Sequence, residues 1–342
     1  DDFSGQETLP AIYTEEPVEG APGFCQPNLD RGYSSRLNVA AAMLTPFARN
    51  LIPGPCPVFL IDKPTPNTGA TIMLKLMSYT INGSPETMKL FPSEDDEFSK
   101  VMLPDLLAGK PLIMYDNISH KTKIDSPFFA GVITSGNFEG RKLGQSLNVT
   151  CPVSSIFVMA GNNISASGEV TRRMIPIRLD ARTPRPGERK ALFNMDVWAA
   201  ENRARVVWGL HTLIQNWIAK DRPPFSGLDR RGRNLSTFEG WVSVIGGILE
   251  ASGQEREQFL VGYDRYIETN LESQTVDQAT IEWIFERYRT RDWTFSTRDF
   301  KLEMYPVGDA PLVDGFEPIG SGGAISSRGI KLKLQQLCNV FT

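Results

Sequence analysis

Residues 62–71 read Asp-Lys-Pro-Thr-Pro-Asn-Thr-Gly-Ala-Thr and follow the apolar run Val58-Phe59-Leu60-Ile61. A strand that opens into a turn-rich loop closing on Gly-x-Thr has the outline of a phosphate-binding loop. In such a loop, backbone N–H groups and the start of the next helix attract an anion. The full pattern is Gly-x-x-x-x-Gly-Lys-Ser/Thr. Aligned to it, Pro64 takes the first glycine position, and Thr65, Pro66, Asn67 and Thr68 form the loop body. Gly69 is the second glycine, Ala70 stands where the lysine belongs, and Thr71 offers the hydroxyl that would meet Mg2+. Alone, the stretch reads equally as a Pro-rich turn.

Other residues fall in the order a nucleoside triphosphatase needs. Asp116 ends the apolar run Leu112-Ile113-Met114-Tyr115, where a carboxylate can hold magnesium through water. Asn117 follows it, in place of a catalytic Glu. Asn162-Asn163 end the run Ile156–Gly161, and an amide there can orient an attacking water. Arg172-Arg173 precede a further strand, from which a guanidinium can reach a neighbouring subunit's phosphate. Glu94 and Glu97 could position water from the side, although an acid cluster at a helix N-terminus is also stabilised by the macrodipole alone.

These residues need a scaffold. Continuous apolar runs at 56–62 and 111–117 predict buried strands, and 148–154, 155–163 and 173–182 predict three more. Helices are predicted over 34–52, capped by Ser34 or Ser35, over 71–81, and over 92–110, capped by Ser93. Alternation of strands and helices, with polar residues at strand ends, is the pattern of an α/β fold with a parallel sheet. The second half is helical, over 196–221 and over 236–253. There Ser236 and Glu239 stand in capping-box register, and Gly246-Gly247 suggest close packing or a kink. Four segments are expected: an extended arm (1–33), a nucleotide-binding core (34–190), a helical extension (191–272) and a small C-terminal domain (273–342).

The 342 residues are 41% hydrophobic and 22% charged, the balance of an ordinary globular protein, and no apolar run approaches a bilayer span. The first twenty residues are acidic and Pro-rich, unlike a signal peptide, and the chain begins at Asp1 without Met, as a piece of a longer one would. The net charge of -4 demands no nucleic-acid partner, so local patches must carry that expectation. Cys25, Cys56, Cys151 and Cys338 are scattered, and read as buried free thiols rather than a zinc site. Residues 321–342 hold Arg328, Lys331 and Lys333 and no acid, after a helix-rich stretch; a winged helix that contacts DNA phosphates and a helical protein-contact module both fit. Arg230, Arg231 and Arg233 form a second basic patch, which a solvated loop also explains.

The stretch 111–189, from "PLIMYDN" through "SSIFVMAGNN" to "VTRRMIPIRLD" and "RTPRPGER", resembles the helicase-like ATPase module of replication proteins from bacteriophages and other mobile elements. That family is a relative of the superfamily 3 and AAA+ ring ATPases. More loosely, the resemblance covers roughly residues 35 to 260. It implies a P-loop ATPase fold binding ATP and Mg2+, a homo-oligomeric ring (a hexamer), DNA as partner, a C-terminal winged helix and a primase segment upstream. It implies no membrane and a place in the cytoplasm of a bacterial host. On this resemblance the phosphate loop falls on Pro64–Thr71 and the magnesium carboxylate on Asp116, with Asn117 matching an Asp-Asn pair. The sensor amide falls on Asn162, with Asn163 beside it, and the trans-acting arginine on Arg172 or Arg173.

Ala70 is the departure, because active members carry Lys there. It is a deliberate substitution, a natural one compensated by another cation (Lys63 or Lys100), or the mark of a fold that only binds. Pro64 and Asn67, also unusual in such a loop, favour natural divergence. Lys75, a turn into the helix, points away from the loop.

Overall fold

The computed structural model describes residues 33–92, 94–119, 123–141, 147–180, 185–188, 194–227, 233–254, 259–264, 266–267, the short pieces 15–17 and 25–27, and six positions between 280 and 305. The chain divides into two compact units, 1–266 and 267–342. The predicted cap Ser93, and Arg230, Arg231, Arg328, Lys331 and Lys333, lie outside the described residues. In the second unit Trp283 meets Phe300 edge to face, with ring centroids 5.6 Å apart.

Strands β1 (Glu15–Pro17) and β2 (Cys25–Pro27) form a small antiparallel pair ahead of helix α1 (Tyr33–Ala48). The core elements follow: strand β3 (Val58–Lys63), helices α2 (Ala70–Asn82) and α3 (Asp95–Leu107), and strand β4 (Leu112–Ile118). After the two-residue β5 (Lys123–Ile124) come α4 (Pro127–Ser135) and the strands β6 (Asn137–Arg141) and β7 (Asn148–Pro152). Strand β8 (Ile156–Asn162), the short β9 (Ser165–Ala166) and α5 (Gly168–Thr171), and strand β10 (Met174–Arg178) complete the sheet region. Helix α6 (Met195–Ala219) and the pieces α7 (Glu239–Trp241) and α8 (Gly247–Ala251) close the unit.

Four parallel strands, in the order β10-β3-β8-β4, make the central sheet. The apolar runs that predicted strands hold: Val58, Phe59, Leu60 and Ile61 have no exposed surface, nor do Val158, Met159 and Ala160. Helix α2 lies on β3, β4 and β8 and touches α6, while α1 packs on β10 and β8. Trp241 anchors this layer, fully buried, with its indole N–H donating to Thr45 Oγ1 at 3.0 Å and its ring edge-on to Phe59.

Some expectations are corrected. The strand predicted at 148–154 exists as β7, but it pairs antiparallel with β6 in a hairpin outside the parallel sheet. Exposed residues alternate with less exposed ones along β7 and along its partner β6, as a half-exposed ribbon requires. Ser34 and Ser35 are not N-caps, because α1 already begins at Tyr33. Both are buried and serve tertiary bonds instead: Ser34 Oγ accepts from the Gly262 amide at 2.9 Å, and Ser35 Oγ from the Arg178 amide at 3.1 Å. The 236–253 helix is broken into a 3-10 segment, α7, a π turn at Val242–Gly246 and α8. Phe238, not Ser236, precedes α7, and the kink expected at Gly246 takes the form of that π turn.

Cys56 and Cys151 are free thiols, half-buried and buried respectively. Burial pushes the Cys56 thiol up to about 11, so it stays protonated and unreactive near neutral pH.

Candidate functional site at the carboxyl edge of the sheet

In a parallel sheet every strand delivers its last residues to one edge. The connection leaving β3 runs past β8 to β4, whereas the one leaving β8 runs past β3 to β10. Adjacent strands with oppositely directed connections leave a crevice between their carboxyl ends, where ligands of open α/β sheets bind. Here the crevice lies between Lys63 and Asn162, which are register partners.

The loop 64–69 rises from β3 into α2. Gly69 holds φ +114°, a conformation that suits glycine, and precedes the helix without a side-chain cap. The first intrahelical bond runs from the Met73 amide to the Gly69 carbonyl at 3.0 Å. Helix geometry therefore leaves the Ala70, Thr71 and Ile72 amides without an intrahelical acceptor. The first turn of α2 carries no acid of its own. Thr68, buried, braces the loop by donating its hydroxyl to the Thr65 carbonyl. Ala70 is buried at 1% exposure, and Thr71 is exposed.

Across 45 residues of chain, Thr71 Oγ1 donates to Asp116 Oδ2 at 2.7 Å. Strand β4 brings Asp116 there through a register shift against β8 between Tyr115 and Ile118. Asn117 takes the extra step of this bulge at φ +59°, and its amide donates to Asp116 Oδ1 at 2.7 Å. Asparagine tolerates a left-handed backbone better than glutamate, which accounts for the missing Glu at 117. The bulge also needs Gly161: a Cβ on that residue would meet the Ile118 carbonyl at 2.4 Å. On the outer side of β4, the Lys89 amide donates to Met114 O and the Asp116 amide to Lys89 O, both at 3.0 Å. Lys89 is fastened in turn to the buried Asp105 carboxylate, which also takes Lys110 at 3.2 Å.

The turn after β8 is tied to the loop that follows β3. The Asn163 amide donates to Lys63 O at 3.1 Å, and its side-chain Nδ2 to Pro64 O at 3.3 Å. Asp62 completes the clamp, accepting from the Ile164 amide at 3.1 Å and from the Arg178 guanidinium. Asn163 is therefore a latch between the two loops, and Asn162, half-buried at the crevice, is the amide placed at its mouth. Asn67, Asn117 and Asn163 all hold positive φ, at 62°, 59° and 45°. The unusual asparagines of this site thus have a shared backbone reason.

Other sequence candidates fall elsewhere. Glu97 and Lys100 are bound to each other on the exposed side of α3 at 2.6 Å, and their pairing holds the Lys100 ammonium above its usual pKa. Glu94 is the exposed residue preceding α3. Lys75 pairs with Asp196 at the start of α6, 3.1 Å away, as expected of a side chain directed away from the loop. Arg172 and Arg173 stand before β10, whose first residue Met174 pairs with Val58 at the start of β3. They occupy the opposite edge of the sheet from the loop, separated along β3 by at least five residues, or roughly 17 Å. Arg173 is half-buried and bonded to Glu169, whereas Arg172 is exposed.

Hard oxygen donors at the end of a phosphate-type loop suit Mg2+, which binds through one or two protein oxygens plus substrate phosphates. Thr71 and Asp116 are such a pair. Among the described residues, no three His, Cys, Asp or Glu side chains gather as a metal cluster. No helix among them is long and apolar enough to cross a membrane.

No family model and no curated protein matches the chain. Among solved structures, one match is the A form apo structure of the NrS-1 C terminal region, at 12% sequence identity and a TM-score of 0.35. The alignment covers 88% of this chain and 62% of that one, so the chain spans less than two thirds of its length.

Proposed function

We propose that the chain is a P-loop nucleoside-triphosphatase module, of the ring-forming helicase type, from a mobile-element DNA replication protein. The observation that carries this reading is the 2.7 Å bond between Thr71 and Asp116 at the switch point of a parallel sheet. The loop amides and the α2 N-terminus would hold the β- and γ-phosphates of ATP. Thr71 would ligate Mg2+ and Asp116 would hold it through water. A bound Mg2+ supplies charge neutralisation on the phosphates. Asn162 would orient the attacking water.

Arg172 and Arg173 are too far from their own loop to serve it, so an arginine finger from this pair must act on a neighbouring subunit. This supports a ring, in which each site borrows a guanidinium from the next chain; a hexamer is the proposed size. Of the two, the exposed Arg172 is the better finger, because Arg173 is held by Glu169. DNA is the proposed partner. The β6–β7 hairpin, inserted between β4 and β8, offers exposed Arg141 as one phosphate contact. A C-terminal winged helix bearing Arg328, Lys331 and Lys333 would offer others. A primase segment upstream and the cytoplasm of a bacterial host complete the proposed setting.

The test of the shared site uses two inactive variants in the Ala70→Lys background. Arg172→Ala/Arg173→Ala should lower ATP turnover at least about tenfold. Mixing it with Asp116→Ala chains should restore part of the rate, because each supplies what the other lacks. Unchanged turnover in the arginine variant would refute the finger.

Ala70 favours a second reading, a catalytically silent P-loop fold that binds DNA or drives assembly. It predicts DNA binding without nucleotide turnover, even after lysine is restored.

A further inference from the structure

The chain returns to the phosphate loop after leaving the sheet. The Leu179 amide still donates to Asp62 O at 2.9 Å, and the segment Arg185–Glu188 then lies beside the loop. A Cβ built on Gly187 would stand 3.5 Å from Asn67 Nδ2 and 3.7 Å from Asn67 Cβ, in ordinary contact with the apex of the loop. Pro186 is buried and fastens this short 3-10 turn. Arg185, the residue before it, keeps its side chain 75% exposed and pairs with Glu188 at 3.2 Å. An ion pair this exposed is weak and salt-sensitive. A phosphate, which takes a guanidinium in a bidentate fork, competes with it readily.

We propose that Arg185 is the cation that this site supplies from its own chain in place of the lysine absent at position 70. Its ligand is the polyphosphate of a nucleoside triphosphate. On binding, the guanidinium leaves Glu188 and pairs with phosphate oxygens, while Gly187 on Asn67 keeps its base beside the loop. The assignment rests on the reading of residues 64–71 as a phosphate loop. It differs from the two substitutes expected from the sequence: Lys100 is engaged by Glu97 on α3, and Lys63 stands at the foot of the loop, whereas Gly187, two residues after Arg185, approaches its apex.

The test is titration of a fluorescent ATP analogue, with Mg2+, into the full chain and its Arg185→Ala variant, with the matching AMP analogue as control. The parent should bind ATP more tightly than AMP. Arg185→Ala should weaken ATP binding about tenfold and leave AMP binding nearly unchanged, because the missing contact is to the polyphosphate. An ATP Kd for Arg185→Ala within twofold of the parent, or equal losses for ATP and AMP, would overturn the role of Arg185 and leave the phosphate loop standing. A parent with no saturable ATP binding would overturn both.

Discussion

Ala70→Lys is expected to raise ATP turnover by about a hundred-fold or more, the usual worth of one preorganised charge on a transferring phosphoryl group. Position 70 is the first residue of α2, at the mouth of the loop, so a lysine there sits where phosphate charge develops. Its Cβ is enclosed, at 1% exposure, and the longer side chain must therefore run out along the loop interior to reach solvent or a phosphate. Without nucleotide, that ammonium opposes the positive end of the helix, a cost of about 0.3–1 kcal/mol. The variant should melt slightly below the parent when empty and gain more than the parent from MgATP. The measurement is steady-state phosphate release, with thermal melts with and without nucleotide. A gain identifies an active-site framework that lacks one charge. Parent-like turnover points to the catalytically silent fold.

Asp116→Asn in the Ala70→Lys background is expected to lower turnover on the order of a thousand-fold, the several kcal/mol that a metal-held phosphate charge contributes. The substitution keeps one oxygen, placed to accept from the Asn117 amide as Oδ1 does, so the bulge in β4 should survive. Its Nδ2 takes the place of the oxygen that accepts from Thr71, so the negative charge and that acceptor are lost together. The 2.7 Å Thr71–Asp116 bond also has a consequence for metal entry. The Thr71 hydroxyl gives its proton to the carboxylate and keeps its lone pairs, so it can ligate a cation without leaving Asp116. Turnover as a function of Mg2+ concentration separates the outcomes. A variant rescued by high Mg2+ would place Asp116 in metal retention alone, and one unaffected at any concentration would remove it from the site.

Much of the framework is legible in the chain. A short continuous apolar run bounded by turn residues reads as a strand buried on both faces, so β3, β4 and β8 are visible as sequence, and the polar residue that ends each one is visible as a site candidate. That places Lys63, Asp116 and Asn162 on one edge before any coordinates. What the sequence hides is long-range. Ser34 and Ser35 look like helix caps because capping is local, yet their bonds go to Gly262 and Arg178. Strand β6 is half-exposed, and its weak alternation is lost beside the strong runs around it, so β7 is visible as a strand but its hairpin partner is not. Asn67 and Asn117 read as departures from a motif, and Asn163 as a companion of the sensor amide, until their positive φ angles give all three a backbone role. Arg185 reads as one cation in a basic stretch, and only the approach of Gly187 to Asn67 brings it to the loop.

The central claim, that residues 64–71 hold a nucleotide phosphate with Thr71 and Asp116 at its metal, is tested most directly by isothermal titration of ATP into the chain with and without Mg2+, repeated on Thr71→Ala. The account predicts saturable binding that Mg2+ tightens, and loss of that Mg2+ effect in Thr71→Ala while its melting temperature stays within a few degrees of the parent. Absence of binding in the parent, or a Mg2+ effect that Thr71→Ala retains in full, would contradict it.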